Sequence, residues 1–214
     1  MRMFNIPSAR LTIPRAIAGE IIRKNLIDIV LNSPAKLVYI HAGAGHGKTT
    51  LLSQIANSAE NIVWLSLDGE NDIFTFINTL CEAVKQTFPK FDFSASEYLP
   101  FSEKNNFISM LASALVCSIE NISGAFIAVM DDLHTIEEDE VKKLIACLIK
   151  YLPNNAKLCF GSREAPPQDF LSFKVKGNIT ELTQKELAFT REEIVGILGF
   201  DDPAIYGSTE GWPL

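Results

Sequence analysis

The stretch Ala42 to Thr50, AGAGHGKTT, constrains this chain more than any other. It follows the apolar run Leu37 to Ile40 (LVYI) and leads directly into the helical pattern LLSQIA. A strand, a glycine-rich turn and a helix opening on Gly47-Lys48-Thr49 form the setting in which a phosphate-binding P-loop operates. Glycines let backbone N–H groups curl around phosphate oxygens with no Cβ in the way, and the helix start adds positive potential. Gly43, Ala44, Gly45, His46, Gly47 and Thr50 would line the loop, His46 through its backbone N–H. Lys48 would reach the β- and γ-phosphates, and the Thr49 hydroxyl would ligate Mg²⁺. The pattern G-x-x-x-x-G-K-[ST] is broken once, by Ala42 at the first glycine. A glycine-rich turn that holds no nucleotide is the competing interpretation.

Strand and helix signals alternate around this loop. Apolar residues at spacings of three and four predict a helix over 17–31, with Ile21, Ile22, Leu26, Ile29 and Val30 on one face. Further helices are predicted over 48–57, after Asn71 or Asp72 as N-cap, and after Ser102 as N-cap. The aromatic-rich residues 89–101 read as a connector. Capping boxes at Thr135–Glu138 and Thr190–Glu193 would open two more helices, the second ending at Gly199. Strands are expected at 36–41, 61–67, 125–132, 157–161 and 178–182. This alternation implies parallel βαβ crossovers, a sheet covered on both faces, and a ligand at the carboxyl ends of the strands.

Several function classes are disfavoured. A net charge of −7 with no basic cluster argues against nucleic-acid binding by these residues. The longest unbroken apolar run, Ala125 to Met130, is too short to span a bilayer, and the N-terminus lacks the apolar core of a secretory signal. The four cysteines, Cys81, Cys117, Cys147 and Cys159, show no C-x-x-C spacing and read as buried free thiols of a reducing cytoplasm. The abrupt ending at GWPL suggests a piece of a longer protein.

The chemistry gathers at strand ends. Asp131 and Asp132 follow AFIAVM, the Walker B arrangement in which Asp131 would hold Mg²⁺ and Asp132 would orient or deprotonate an attacking water. The alternative is that the two acids only cap the following loop. Ser162-Arg163 ends the next strand, where Arg163 could stabilise charge on the γ-phosphate; a surface salt bridge with Glu164 is its competing role. His41, His46 and His134 lack the spacing and fourth partner of a zinc site. The acidic run Glu137 to Glu140 suits a solvated helix start.

AGAGHGKTTLLSQ, WLSLDGENDIFTF, VMDDLHTI, GSREAPP, LAFTREEI and TEGWPL resemble, in that order, the N-terminal nucleotide-binding domain of MalT-like, large ATP-binding LuxR-type transcription regulators, a branch of the STAND ATPases. Ala at the position of Ala42 is common in that family, whereas His46 replaces its usual aromatic residue. The resemblance implies a P-loop three-layer α/β sandwich with a five-stranded parallel sheet in the order 5-1-4-3-2. The sensor strand would then lie between the Walker A and Walker B strands. It implies a P-loop ATPase domain over 1–186, including a base-binding segment and helix over 1–35, and the start of a helical lid over 187–214. It further implies that Pro213 of the Gly211-Trp212-Pro213 element lies near the adenine, and that Ile22-Arg23 closes the base pocket from the other side.

The function so implied is an ATP/ADP switch in a bacterial transcription activator, with slow Mg²⁺-dependent hydrolysis. Self-association would accompany the ATP state, and sensor and DNA-binding parts would lie beyond Leu214. Asp132, one methylene shorter than the Glu of fast relatives, fits a slow rate. Two other classes remain open: a P-loop enzyme or AAA+-type motor with its own substrate, and a non-hydrolysing module that keeps a nucleotide for structure.

Overall fold

The computed structural model describes residues 6–17, 19–69 and 72–201. In chain order the helices are α1 (Lys24–Asn32), α2 (Lys48–Asn57), α3 (Ile73–Thr87), α4 (Phe107–Glu120), α5 (Asp139–Tyr151), α6 (Gln168–Val175), α7 (Gln184–Leu187) and α8 (Arg191–Leu198). The strands are β1 (Leu37–His41), β2 (Ile62–Ser66), β3 (Phe126–Asp131), β4 (Ala156–Ser162) and β5 (Ile179–Leu182). They form one sheet in the order β2-β3-β4-β1-β5, every pairing parallel. Read from the other edge this is 5-1-4-3-2, so β4 does lie between the P-loop strand β1 and the acidic strand β3.

Both faces of the sheet are buried, and alternate side chains decide which layer each residue joins. Leu37 and Tyr39, Val63 and Leu65, Ala128 and Met130, and Leu158 and Phe160 pack into one layer with α3, α4, α5 and α6. Val38, Ile40, Trp64, Val129 and Cys159 face the opposite layer, formed by α1, α2 and Leu187 of α7. The first layer is centred on three aromatic rings. Phe160 stands edge-on to Tyr39 and stacks with Phe170 of α6, both at 6.2 Å between centroids.

Three expectations about local structure are corrected. The first helix begins at Lys24, because Ile21 and Arg23 give backbone groups to the Gln54 side chain: Arg23 N–H donates to Oε1, and Nε2 donates to Ile21 C=O. Helix α1 ends where Lys157 Nζ donates to the carbonyls of Val30, Leu31 and Ser33, a cation on the negative end of a helix. Thr135 opens no capping box. Its hydroxyl donates to Asp132 C=O and accepts from Gly69 N–H, so α5 starts at Asp139 with only Asp139 and Glu140 in its first turn. Ser102 is not a cap either, since α4 starts at Phe107 after a 3₁₀ segment over Ala95–Phe101 and a turn.

Asp72 does cap α3 through Thr75 N–H, and the Thr190–Glu193 box does open α8, which ends on left-handed Gly199. The helices α6 and α7, the latter with its own Thr183–Glu186 box, were not expected. Of the cysteines, Cys81 and Cys159 are buried, but Cys147 on α5 is half-buried at the margin of the core and Cys117 on α4 is exposed. No helix among the described residues is long and apolar enough to cross a membrane.

Phe160 is fully buried. Phe160→Ala should destabilise the chain by about 3–5 kcal/mol, the range for a large core ring cut to a methyl. Urea unfolding followed by circular dichroism checks this, with the slope of the transition unchanged.

Candidate functional site

The loop from Ala42 to Gly47 runs from the end of β1 to the start of α2 at the carboxyl edge of the sheet. Gly45 (φ 77°) and Gly47 (φ 74°) adopt the left-handed backbone that favours glycine. Ala42 is not among the positive-φ residues, so its methyl is unstrained; it is buried in the α2 layer, and its N–H donates to Ser162 C=O. This is why the first-glycine position accepts alanine. The His46 ring is buried against Gly43, with Nδ1 3.1 Å from Ala44 C=O.

Lys48 is the first residue of α2, and its side chain folds back over the loop. Nζ donates to Ala42 C=O at 2.9 Å and Gly43 C=O at 2.7 Å. Burial lowers the pKa of its ammonium; Asp131 and Asp132 oppose the shift, while the positive charge of Arg163 adds to it. Beside it, Thr49 Oγ1 donates to Asp131 Oδ2 at 2.6 Å. Asp131 is only 3% exposed. Burial, together with repulsion from Asp132, holds its carboxyl above the usual range against the hydrogen bonds from Thr49 and Asp132 N–H and the charge of Lys48.

Asp132 follows with φ 58°, the one non-glycine among the described residues with positive φ. Its N–H donates to Asp131 Oδ1, and its C=O accepts from both Thr135 N–H and Oγ1. Such a backbone is held in place by its surroundings and clusters at functional sites. The Asp132 carboxylate is 42% exposed, with His134 Nδ1 3.9 Å from Oδ1, beyond hydrogen-bonding reach. Ser162 at the end of β4 is buried, its hydroxyl accepting from Glu164 N–H. Arg163 is exposed and makes no ion pair with Glu164. Its charge is felt at Lys48 instead.

The loop, Lys48, Thr49, Asp131, Asp132 and Arg163 therefore meet at one end of the sheet. Ile22 is half exposed on the neighbouring segment, while the Arg23 guanidinium is turned to residues 186–193. Pro213 lies outside the described residues. His41 is committed elsewhere: its Nε2 is 2.8 Å from Glu181 Oε1, and Lys174 also pairs with Glu181.

Two residues of the site were missed from sequence. Gly161, next to Ser162 on β4, lies against Asp131. A Cβ there would fall inside the van der Waals contact of Asp131 Oδ1 and 2.7 Å from Leu52 Cδ1. A glycine among large strand residues is the sign of close approach that could have found it. Gln54 is a buried polar residue set among the apolar side chains of Leu51, Leu52, Ile55 and Ala56, and a buried amide calls for partners.

No family model matches the chain. It is 30% identical, over 97% of its length, to the HTH-type transcriptional regulator MalT of Vibrio parahaemolyticus, and 29% identical over the same share to that of Vibrio cholerae. The MalT of Yersinia pestis is 31% identical over 88% of the chain. The chain spans about a quarter of the length of these relatives, 21–24%. Among solved structures it is similar to a Walker-type ATPase of Pyrococcus abyssi, with a TM-score of 0.53 and 16% identity over 94% of this chain and 67% of that one. That likeness bears out the fold alone.

Because folding raises the Asp131 pKa above its ordinary value of 3.8, the folded chain binds more protons than the unfolded one just above that pH. The stability this proton confers is fully present below about pH 4 and is lost as pH rises through the folded value. Asp131→Asn should therefore be more stable than wild type at pH 7–8, by about 1 kcal/mol, the range for relief of a strained site. The gap should close in urea titrations at pH 4.

Proposed function

We propose that this homologue of the MalT-type transcriptional regulators is a nucleotide switch that binds ATP and ADP and hydrolyses ATP slowly with Mg²⁺. The observation that carries this reading is the hydrogen bond from Thr49 to the buried carboxylate of Asp131, with Lys48 beside it. A capped loop would have no need to hold an ionisable carboxyl away from water against its burial penalty.

The donor set fits Mg²⁺, which takes one or two protein oxygens and fills the remaining positions with phosphate oxygens and water. Thr49 Oγ1 and Asp131 Oδ2 would supply them, Asp131 directly or through water. Bound there, the ion would neutralise charge spread over the β- and γ-phosphate oxygens. Gly43 to Thr50 would cradle the phosphates through backbone N–H groups, and Lys48 would exchange its two loop carbonyls for phosphate oxygens. Asp132, exposed and held in a fixed backbone, would orient the attacking water and accept its proton, while Arg163 would stabilise charge on the γ-phosphate. Residues 1–186 would form the ATPase unit and 187–214 the start of a lid, with Ile22 and Pro213 on either side of the adenine.

The relatives carry HTH in their names. DNA contact would accordingly belong to the rest of such a protein, and self-association to its ATP state. A switch works only if those parts bind the two nucleotide states differently.

Isothermal titration of Mg·ADP into the chain tests the reading. Lys48→Ala should weaken binding about 10- to 100-fold, as expected for loss of charged hydrogen bonds. Asp132→Asn should leave binding intact and slow hydrolysis by about 10²-fold or more. Wild type should turn over well below ~10 s⁻¹, the ordinary enzyme median; a faster rate in the isolated chain would overturn the switch.

A further inference from the structure

The Arg23 side chain is engaged by several groups, and these partners all lie in one short stretch. Nη1 donates to Leu187 C=O at 2.9 Å; Nη2 donates to Ala188 C=O at 3.1 Å and Glu186 C=O at 3.3 Å. Nε lies 2.8 Å from Glu193 Oε1, and the guanidinium sits 5.0 Å over the Phe189 ring. The three carbonyls are those released at the carboxyl end of α7, where positive charge is favoured. The side chain is 10% exposed.

Glu193 serves two helices at once. Its Oε2 accepts Thr190 N–H at 2.8 Å to complete the capping box of α8, which leaves Oε1 for Arg23. The backbone of Arg23 is tied in the opposite direction. Arg23 N–H donates to Gln54 Oε1 at 2.9 Å, and Gln54 Nε2 donates to Ile21 C=O at 2.8 Å. Gln54 stands on α2, the helix that begins with Lys48 and Thr49. Hydrogen bonds thus run from the P-loop helix through residues 21–23 to the end of α7, and the ion pair of Arg23 with Glu193 carries the link on to α8.

A guanidinium desolvated in this way cannot lose its partners singly. Moving α8 away would leave charge buried and unpaired, so the contact is either made whole or abandoned and rehydrated. We propose that Arg23 and Glu193 form a latch coupling residues 186–198 to α2, so that nucleotide affinity at the P-loop and closure of this segment rise and fall together. Arg23 is thereby a positioning residue, acting through Gln54 and the backbone of residues 21–23. The inference rests on the P-loop being a nucleotide site.

The test combines Mg·ADP titration with hydrogen–deuterium exchange on the wild-type chain, Glu193→Gln, Arg23→Met and the double variant. Glu193→Gln keeps an acceptor for Thr190 N–H and removes only the charge, so it guards against a variant that merely fails to fold. In wild type, ADP should slow exchange over residues 184–199 and leave α5 unchanged. Glu193→Gln should weaken ADP binding by roughly 5- to 100-fold, the span of ordinary coupling energies, and abolish that protection. Arg23→Met should add little in the Glu193→Gln background. Variants that loosen residues 184–199 yet bind ADP as tightly as wild type would overturn the latch alone. A wild type that binds no ADP would end the P-loop reading and the latch together.

Discussion

The contact between Thr49 and Asp131 joins the first turn of α2 to the end of β3 across an intervening strand, and the site depends on it. For the bond to form, β4 must pass beneath the carboxylate without a side chain, which is what Gly161 provides. The ladder in turn must hold β3, β4 and β1 in parallel register so that Asp131, Ser162 and the loop after His41 reach the same edge. Burial of both sheet faces fixes that register, because a slip by one residue would exchange the two apolar layers. The carboxyl is thus placed by the entire sheet, and the burial that comes with that placement pushes its pKa up.

The features that were legible in sequence depend on local chemistry. Apolar runs of three to six residues, LVYI, AFIAVM and LCF, marked β1, β3 and β4, and the Thr190–Glu193 box marked α8. The strand order did not follow from pattern. It came with the resemblance carried by several motifs in sequence, and the ladder bears it out. The helix predicted over 17–31 was too long because periodicity cannot register a distant competitor. Gln54 supplies residues 21–23 with the hydrogen bonds a helix would otherwise give. Thr135 shows the same limit, its hydroxyl being engaged by Asp132 and Gly69.

Helix α6 escaped notice because it has eight residues, follows two prolines and presents only Phe170 and Phe173 to the core. Its importance is tertiary, since Phe170 completes the cluster with Tyr39 and Phe160. Cys117 was misread for the converse reason. Helix α4 is apolar enough that its outer face resembles its inner one.

Helix α2 touches both the phosphate-binding loop and the segment that carries Arg23. Its first turn carries Lys48 and Thr49, and its inner face, through Leu51, Leu52 and Ile55, packs into the sheet layer with Val38 and Ile40. Gln54 bonds outward to the segment that carries Arg23. An α-helix this well buried moves as a rigid body, so a displacement at its phosphate end must be felt at Gln54. The sheet side cannot yield, being bound by register and core packing on both faces. The contacts of Arg23 with residues 186–193 are polar, all-or-none and peripheral, and they form the compliant side. Under the proposed latch, an adjustment that a nucleotide imposed on α2 would be passed through Gln54 and Arg23 toward α7 and α8.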